Sequence, residues 1–261
     1  MRTQRRLEVP AVLEIPLTTC VYALCAALLG ASLFVPALIV IWGVRRFLLD
    51  ALITGAPPAA AGVALLCLLV GGSAFVFFFI ALLLMGLAVR ALSLPVRPGT
   101  HEPFSVSTIF WMALNSIHTI AFRVILPLVP AGYFSTMYFR LTGCRIGKGV
   151  WLTTASLLDP YMISIGDGTI VGGDAVLSAH IFSNGRLFLS PIRIGKDCQI
   201  GAHALLCPGA VLGDGATVGI MAYVRKGRHI PPGAHVVSVG GLAVREALRL
   251  ERGRPRRLMR G

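Results

Sequence analysis

His180 and Asp159 are the two residues of this chain whose types and positions could do acid–base chemistry together. An imidazole has an unperturbed pKa near neutrality, so it can take up and release a proton at physiological pH. A histidine that acts as a base usually has a partner that fixes its tautomer. Asp159, 21 residues before His180, is the candidate for that orienting carboxylate. A turn aspartate before Pro160 is an equally good interpretation of the same residue.

The surroundings of both residues are set by a six-residue repeat. An aliphatic residue, usually followed by Gly, recurs every six positions without slippage from Ile194 to Val224. A fixed short period indicates a solenoid in which each repeat is one strand and one turn. Three hexapeptides form one triangular coil, which should stack Ile194 on Leu212, and we expect Gly to permit the turn backbone. The repeat positions are Ile146, Leu152, Ile165, Val171, Leu177, Ile194, Ile200, Leu206, Leu212, Val218 and Val224.

The repeat has one large interruption, and His180 stands at its root. Leu177 and Ile194 are 17 residues apart where six would continue the repeat, so about 11 residues, roughly 180–191, should leave the coil as a loop. Asp159 lies in a second excursion, between Leu152 and Ile165. The other acids between residues 143 and 243 occupy turn positions of the repeat, where Asp caps the backbone. They are Asp167, Asp174, Asp197 and Asp214.

The first half of the chain predicts a membrane anchor. Of the 261 residues 56% are hydrophobic and 13% charged, against roughly 25% charged in soluble domains. No charged residue occurs at 15–44 or at 51–89, and about 20 apolar residues cross a bilayer. We expect transmembrane helices at about 17–44 and 62–89, with both termini in the cytoplasm because the flanks are richer in Arg than the loop.

The segment 104–139 is also uncharged apart from Arg123, but it contains polar residues and prolines. Asn115, His118, Pro127 and Pro130 are costly in hydrocarbon, which favours helices lying at the membrane interface over a spanning hairpin. The sequence thus divides into a helical hairpin at 1–95, interfacial linker helices at 96–142, a β-helix at 143–243 and a basic tail at 244–261.

The hexapeptide spacing over about 144–240 resembles the hexapeptide-repeat acyltransferases. A closer resemblance, to the terminal membrane domain of ε-poly-lysine synthetase-type non-ribosomal peptide synthetases, is carried by segments 97–117, 138–152, 162–182, 191–216 and 224–227. The resemblance implies a fold of two transmembrane helices and interfacial helices followed by a left-handed parallel β-helix. It also implies a homotrimer in which the thioester donor lies between subunits.

The resemblance further implies roles for single residues. His180 would be the general base on a hydroxyl or amine acceptor, with Asp159 beside it. Small residues on the donor's path, Gly201, Ala202 and Gly219, would let pantetheine pass over the backbone. A cation of the pair Arg225 and Lys226 would hold the 3′-phosphate of coenzyme A or a carrier protein's acidic face. The acceptor contacts would be His203, Asn184 and Arg186.

The function expected is therefore that of a membrane-anchored acyltransferase, without a tightly bound cofactor and with acyl-CoA or a carrier-protein thioester as donor. A variant would form peptide bonds with adenylation and carrier domains supplied in trans. A non-catalytic trimeric membrane scaffold is the third hypothesis. A zinc enzyme of β-helical type is disfavoured, because the histidines at 180, 203, 229 and 235 do not have the spacing that such a site needs.

The expected partners are two further copies of the chain, membrane lipid and, for the carrier-protein variant, that protein. Nucleic acid is not expected, because seven of the 21 Arg lie in one tail at 245–260 instead of on a face of a fold. The expected location is the cytoplasmic membrane of a bacterium, multi-pass, with the β-helix facing the cytoplasm.

Overall fold

A computed structural model describes residues 11–49, 52–53, 55, 60–128, 132–153 and 156–237. The basic tail and the N-terminal Arg flank lie outside the described residues, as do the prolines at 57, 58 and 130. The chain divides into two compact units. One comprises the residues up to Ser93 together with Phe110–Val129, and the other comprises Leu94–Ile109 and the chain from Pro130 onward.

The helices begin and end close to the predicted positions. Helix α1 covers Ala11–Val44 and continues as a π-helix at Arg45–Leu49, and α2 covers Ala60–Leu92. Gly43 allows the two helices to approach closely, because a Cβ atom there would lie 3.1 Å from the side chains of Leu66 and Leu69. Both helices are longer than the predicted 17–44 and 62–89.

The linker is helical as predicted, in two pieces. Helix α3 covers Val106–Ile120 and continues through Leu128 as a π-helical and then a 3₁₀ turn, and α4 covers Tyr133–Leu141. Among the described residues, three helices are long and apolar enough to cross a membrane: Thr19–Phe47, Ala60–Leu92 and Val106–Leu128. The third was predicted to lie at the interface, and its position relative to a bilayer stays a prediction.

The second unit is a parallel β-helix, as the repeat predicts. Its short strands form three parallel sheets, of five, five and four strands. The coil strands are β2 Arg145–Ile146, β3 Trp151–Leu152, β4 Leu157–Leu158, β5 Ile163–Ile165, β6 Ile170–Val171, β7 Val176–Ser178, β10 Ile192–Ile194, β11 Gln199–Ile200, β12 Leu205–Leu206, β13 Val211–Leu212, β14 Thr217–Val218, β15 Tyr223–Val224, β16 His229–Ile230 and β17 His235–Val236.

The aliphatic residues of the repeat stack in columns and form the core. Ile194 pairs with Leu212, as predicted, and the pairs Ile200 with Val218 and Leu206 with Val224 follow the same register. These side chains are at most 5% exposed, and burying each contributes about 1.5–3 kcal/mol relative to exposure. Two further strands, β16 and β17, follow the last repeat position named above, Val224, and lie within the predicted β-helix at 143–243.

The predicted role of the repeat glycines was wrong. Gly166, Gly195 and Gly201 do not have positive φ, so these three positions do not require the conformational freedom of glycine. They are needed because successive coils approach closely: a Cβ on Gly166 would lie 2.5 Å from the backbone of Gly195. The left-handed residue of each turn comes two positions later, as at Gly168 (φ +68°) and Asp197 (φ +52°).

Candidate functional site

His180 and Asp159 are in direct contact. The Nδ1 atom of His180 lies 2.6 Å from Oδ2 of Asp159, a short and charge-assisted separation. The Asp159 side chain is fully buried, whereas 19% of the His180 side chain is exposed. A buried carboxylate that accepts from Nδ1–H fixes the tautomer in which Nε2 carries the lone pair. The pair therefore has the arrangement that a histidine base requires, with the imidazole partly open to solvent.

Asp159 is positioned by a change of period that the sequence reading missed. Six residues after Leu152 comes Leu158, but the buried residue is Leu157, which pairs with Leu177 of the next coil. The strand β4 therefore completes the first coil one residue early. Asp159 follows in the left-handed conformation (φ +61°), which Asp tolerates better than most residues, and Pro160 begins a 3₁₀ turn.

His180 is positioned by a β-hairpin where a loop was predicted. Strands β8 His180–Ser183 and β9 Arg186–Leu189 are antiparallel, with His180 opposite Leu189. The connecting residues Asn184 and Gly185 both have positive φ, as a type I′ turn requires. The Asn-Gly pair is the signal that could have predicted this hairpin.

The hairpin extends into a three-stranded sheet. Strand β1, Gly99–His101, pairs antiparallel with β9, so that Thr100 lies opposite Phe188. This pairing joins residues 187–189 of the hairpin to a segment that precedes α3 by only a few residues. Because β1 lies nearly 90 residues before β9, no local pattern in the sequence predicts this pairing.

Tyr161 is a neighbour of the pair that the sequence reading did not single out. Its hydroxyl oxygen is buried and makes no hydrogen bond of good geometry with any described residue. Burial raises the pKa of the Tyr161 phenol, and the nearby Asp159 carboxylate raises it further. Tyr161 therefore stays a neutral phenol over the physiological range and does not serve as a base.

The residues predicted to line the donor's path come together at one corner of the coil. Gly201, Ala202 and His203 form one turn, and Gly219 lies in the turn of the next coil. The backbone N–H of Met221 donates to the carbonyl of Ala202 at 2.9 Å, so the two turns are in contact. His203 is exposed and has a left-handed backbone conformation (φ +57°), which is costly for residues other than Gly. Six of the other turns have Gly at the equivalent position.

The remaining predicted residues lie on or near the hairpin. Arg186 forms an exposed ion pair with Glu102, with Nη2 and Oε1 2.8 Å apart, so it already has a partner within the chain. Asn184 is at the exposed hairpin turn. Arg225 is exposed, whereas the Lys226 ammonium lies 3.3 Å from the centre of the Phe188 ring.

Metal chemistry has no candidate ligand set in this site. Within the described parts of the chain, no three His, Cys, Asp or Glu side chains are grouped so that they could hold a metal ion.

Comparisons with known proteins match the β-helix. The profile described as the hexapeptide repeat of succinyl-transferase matches residues 191–220. Galactoside O-acetyltransferase of Escherichia coli (strain K12) is 30% identical over 119 residues, which cover 42% of this chain and 58% of that protein. Delta-poly-L-ornithine synthetase of Acinetobacter baumannii (strain AB307-0294) is 26% identical over 106 residues, 39% of this chain and 8% of that protein.

A hexapeptide-repeat acetyltransferase of Vibrio cholerae, solved with acetyl coenzyme A, has 22% sequence identity and a TM-score of 0.33, covering 36% of this chain and 57% of that chain. The sequence matches confirm the predicted resemblance to hexapeptide-repeat acyltransferases, which are enzymes, and a poly-ornithine synthetase is among the similar proteins. The match to this chain spans just over half the length of the galactoside enzyme.

Proposed function

We propose that this protein is a membrane-anchored acyltransferase that moves an acyl group from a thioester to a hydroxyl or amine, with His180 as general base. The observation that carries the proposal is the 2.6 Å contact between His180 Nδ1 and the buried Asp159 carboxylate. It is supported by the acetyltransferase relative, whose name states the transfer of an acetyl group to an oxygen.

The proposed reaction needs one proton to move twice. The acceptor O–H or N–H gives its proton to Nε2 of His180 as the acceptor atom attacks the thioester carbonyl. The C–S bond then breaks, and the departing thiolate takes that proton back from the imidazolium. Asp159 keeps its hydrogen bond to Nδ1 and stabilises the imidazolium, so an ester or amide and a free thiol are formed without a net change in the enzyme.

For the donor, we propose acyl-CoA passing the corner formed by Gly201, Ala202 and Gly219, with Arg225 near its phosphates. Gly201, Ala202 and Gly219 are each partly exposed, so the surface of this corner is open to a pantetheine chain. His203, Asn184 and Arg186 are the proposed acceptor contacts, and their polar or charged side chains suit a hydroxylated acceptor.

The proposal is tested with purified protein in detergent, acetyl-CoA, and a panel of sugars, amino alcohols and amines. Acceptor-dependent release of free thiol, with the acetylated acceptor identified by mass spectrometry, supports it. If no acceptor stimulates thiol release, the acetyl-CoA function fails and the trimeric scaffold gains support.

The second candidate function is peptide-bond formation from carrier-bound aminoacyl thioesters. The observation that favours it is the match to a poly-ornithine synthetase, of which this chain covers only 8%. Adenylation and carrier domains would then act in trans. Amide formation with an aminoacyl-loaded carrier protein, but not with acetyl-CoA, would identify this variant.

We propose a homotrimer because the coil has an exposed apolar surface. Trp151 (67% exposed) and Ile170 (48% exposed) are paired residues on neighbouring coils and project from the same sheet. A subunit contact would remove this apolar area from water. Mass photometry in mild detergent should show three copies, and Trp151→Glu should reduce the assembly to monomers.

The proposed location is the cytoplasmic membrane, with the β-helix in the cytoplasm, where acyl-CoA is available. Two spanning helices and an interfacial α3 leave the β-helix on the same side as the N-terminus. A tag at Gly261 should react with an impermeant reagent only after the cells are permeabilised. Reaction in intact cells would instead favour three spans.

A further inference from the structure

The strand β9 links His180 to a side chain far away in the sequence. Phe188 lies in the middle of the three-stranded sheet, opposite Ile181 of β8 and Thr100 of β1. The next residue, Leu189, lies opposite His180. Any shift of Phe188 along or out of the sheet therefore moves the strand that holds His180 in register.

Lys226 holds this ring from the coil. It lies in the turn after β15, and its ammonium nitrogen is 3.3 Å from the centre of the Phe188 ring. A cation within about 6 Å of an aromatic face is attracted by the ring quadrupole. Lys226 is otherwise exposed, and water could satisfy all three donors of its ammonium group. Its position over the Phe188 ring is therefore a specific contact.

The ion pair between the hairpin and the segment before α3 is a weaker contact. Arg186 and Glu102 are 56% and 60% exposed, and an ion pair so open to solvent contributes little. The hairpin base is held by backbone bonding, as between Ser190 N–H and the carbonyl of Ala179 at 2.9 Å. The ring contact therefore joins β9, the central strand of the three-stranded sheet, directly to the coil.

We propose that Lys226 is a positioning residue, whose ammonium holds Phe188 and through the β8–β9 ladder keeps His180 in place against Asp159. This inference rests on the proposed acyl transfer. It differs from the role that the sequence suggested for Lys226, which was to bind a donor phosphate. The two roles predict different kinetics. A phosphate contact acts on the donor KM, whereas a positioning contact acts on kcat.

The kinetic test uses Lys226→Met, Lys226→Arg, Phe188→Leu and the double variant Lys226→Met/Phe188→Leu. Losing the contact should lower kcat roughly 2–5-fold in each neutral variant, with the donor KM unchanged. Lys226→Arg keeps a cation over the ring and should stay near wild type. The double variant should lose no more than either single variant, because both remove the same contact. Lys196→Met, an exposed lysine on another turn, is the control.

A raised donor KM in Lys226→Met, with Phe188→Leu unchanged, would overturn the inference in favour of phosphate binding. Hydrogen exchange, followed by mass spectrometry on the full-length protein in detergent, tests the contact without any assay of activity. Amides of 181–189 should exchange roughly 2–5-fold faster in Lys226→Met and in Phe188→Leu, and at the wild-type rate in Lys226→Arg.

Exchange that is identical in all four proteins overturns the positioning role and leaves the acyltransferase proposal intact. If the wild type has no turnover with any acceptor, the acyltransferase proposal fails, and the exchange rates alone then decide whether Lys226 holds the hairpin.

Discussion

Asp159 is fully buried and accepts a hydrogen bond from Nδ1 of His180 at 2.6 Å, across 21 residues of sequence and two different excursions from the coil. Burial of a carboxylate is costly unless it is hydrogen-bonded. In this fold one buried acid orients one imidazole that is 19% exposed. That relationship leads to the following expectations.

The variant Asp159→Asn should lower kcat by less than about 10²-fold, because the whole contribution of a positioned base is about 10²–10⁴-fold. An amide oxygen still accepts from Nδ1–H, but it no longer stabilises the imidazolium with a charge. Steady-state kinetics at saturating donor measure the effect. A loss as large as that of His180→Ala would mean that Asp159 takes part in the chemistry directly.

The variant Tyr161→Phe should stabilise the fold at neutral pH by about 1 kcal/mol, because it removes a buried hydroxyl that has no hydrogen bond of good geometry among the described residues. Thermal unfolding in detergent measures the difference. Loss of stability together with loss of turnover would show that the hydroxyl is an active partner of the pair.

The same variant should change the response to alkali. Unfolded tyrosine ionises near pH 10, whereas in the fold the pKa of Tyr161 is raised by burial and by Asp159. The folded state then keeps a proton that the unfolded state loses, so the contribution of Tyr161 to stability is present below about pH 10 and declines above it. Wild type should therefore lose stability more steeply than Tyr161→Phe between about pH 10 and 11.

How much of this could be read from the sequence differs from element to element. The coil columns were predictable because six aliphatic positions from Ile194 to Val224 keep one period, and period determines which side chains face inward. Asp159 and His180 stood out as the polar residues at the two breaks in that period. Their contact, however, depends on the early strand at Leu157, where the period shortens by one residue.

The anchoring contacts of the hairpin were not predictable from pattern. Lys226 and Phe188 meet only because the turn after β15 and the strand β9 come together in space. The purpose of the repeat glycines was equally hidden, since positive φ and close approach of two backbones both select glycine. The structure distinguishes the two causes at Gly166, because a Cβ there would lie too close to the backbone of the next coil.

The close approach of the coils gives a matched pair of variants. Gly166→Ala should destabilise the β-helix by about 1–3 kcal/mol, because its Cβ would lie 2.5 Å from the backbone of Gly195. Gly173→Ala should be tolerated, since a Cβ there meets nothing within 4 Å. Melting temperatures of the two variants make the comparison. Equal losses would contradict the packing role assigned to Gly166.

The most direct measurement of the central claim is the turnover of His180→Ala with acetyl-CoA and the acceptor identified by the panel. If His180 is the general base, kcat should fall about 10²–10⁴-fold while donor KM and the assembly are unchanged, because the imidazole acts only as the acceptor proton leaves. His229→Ala, an exposed histidine on β16, should keep wild-type turnover. Near wild-type turnover of His180→Ala would contradict the account, and so would loss of donor binding together with the assembly, since His180 would then be a structural residue.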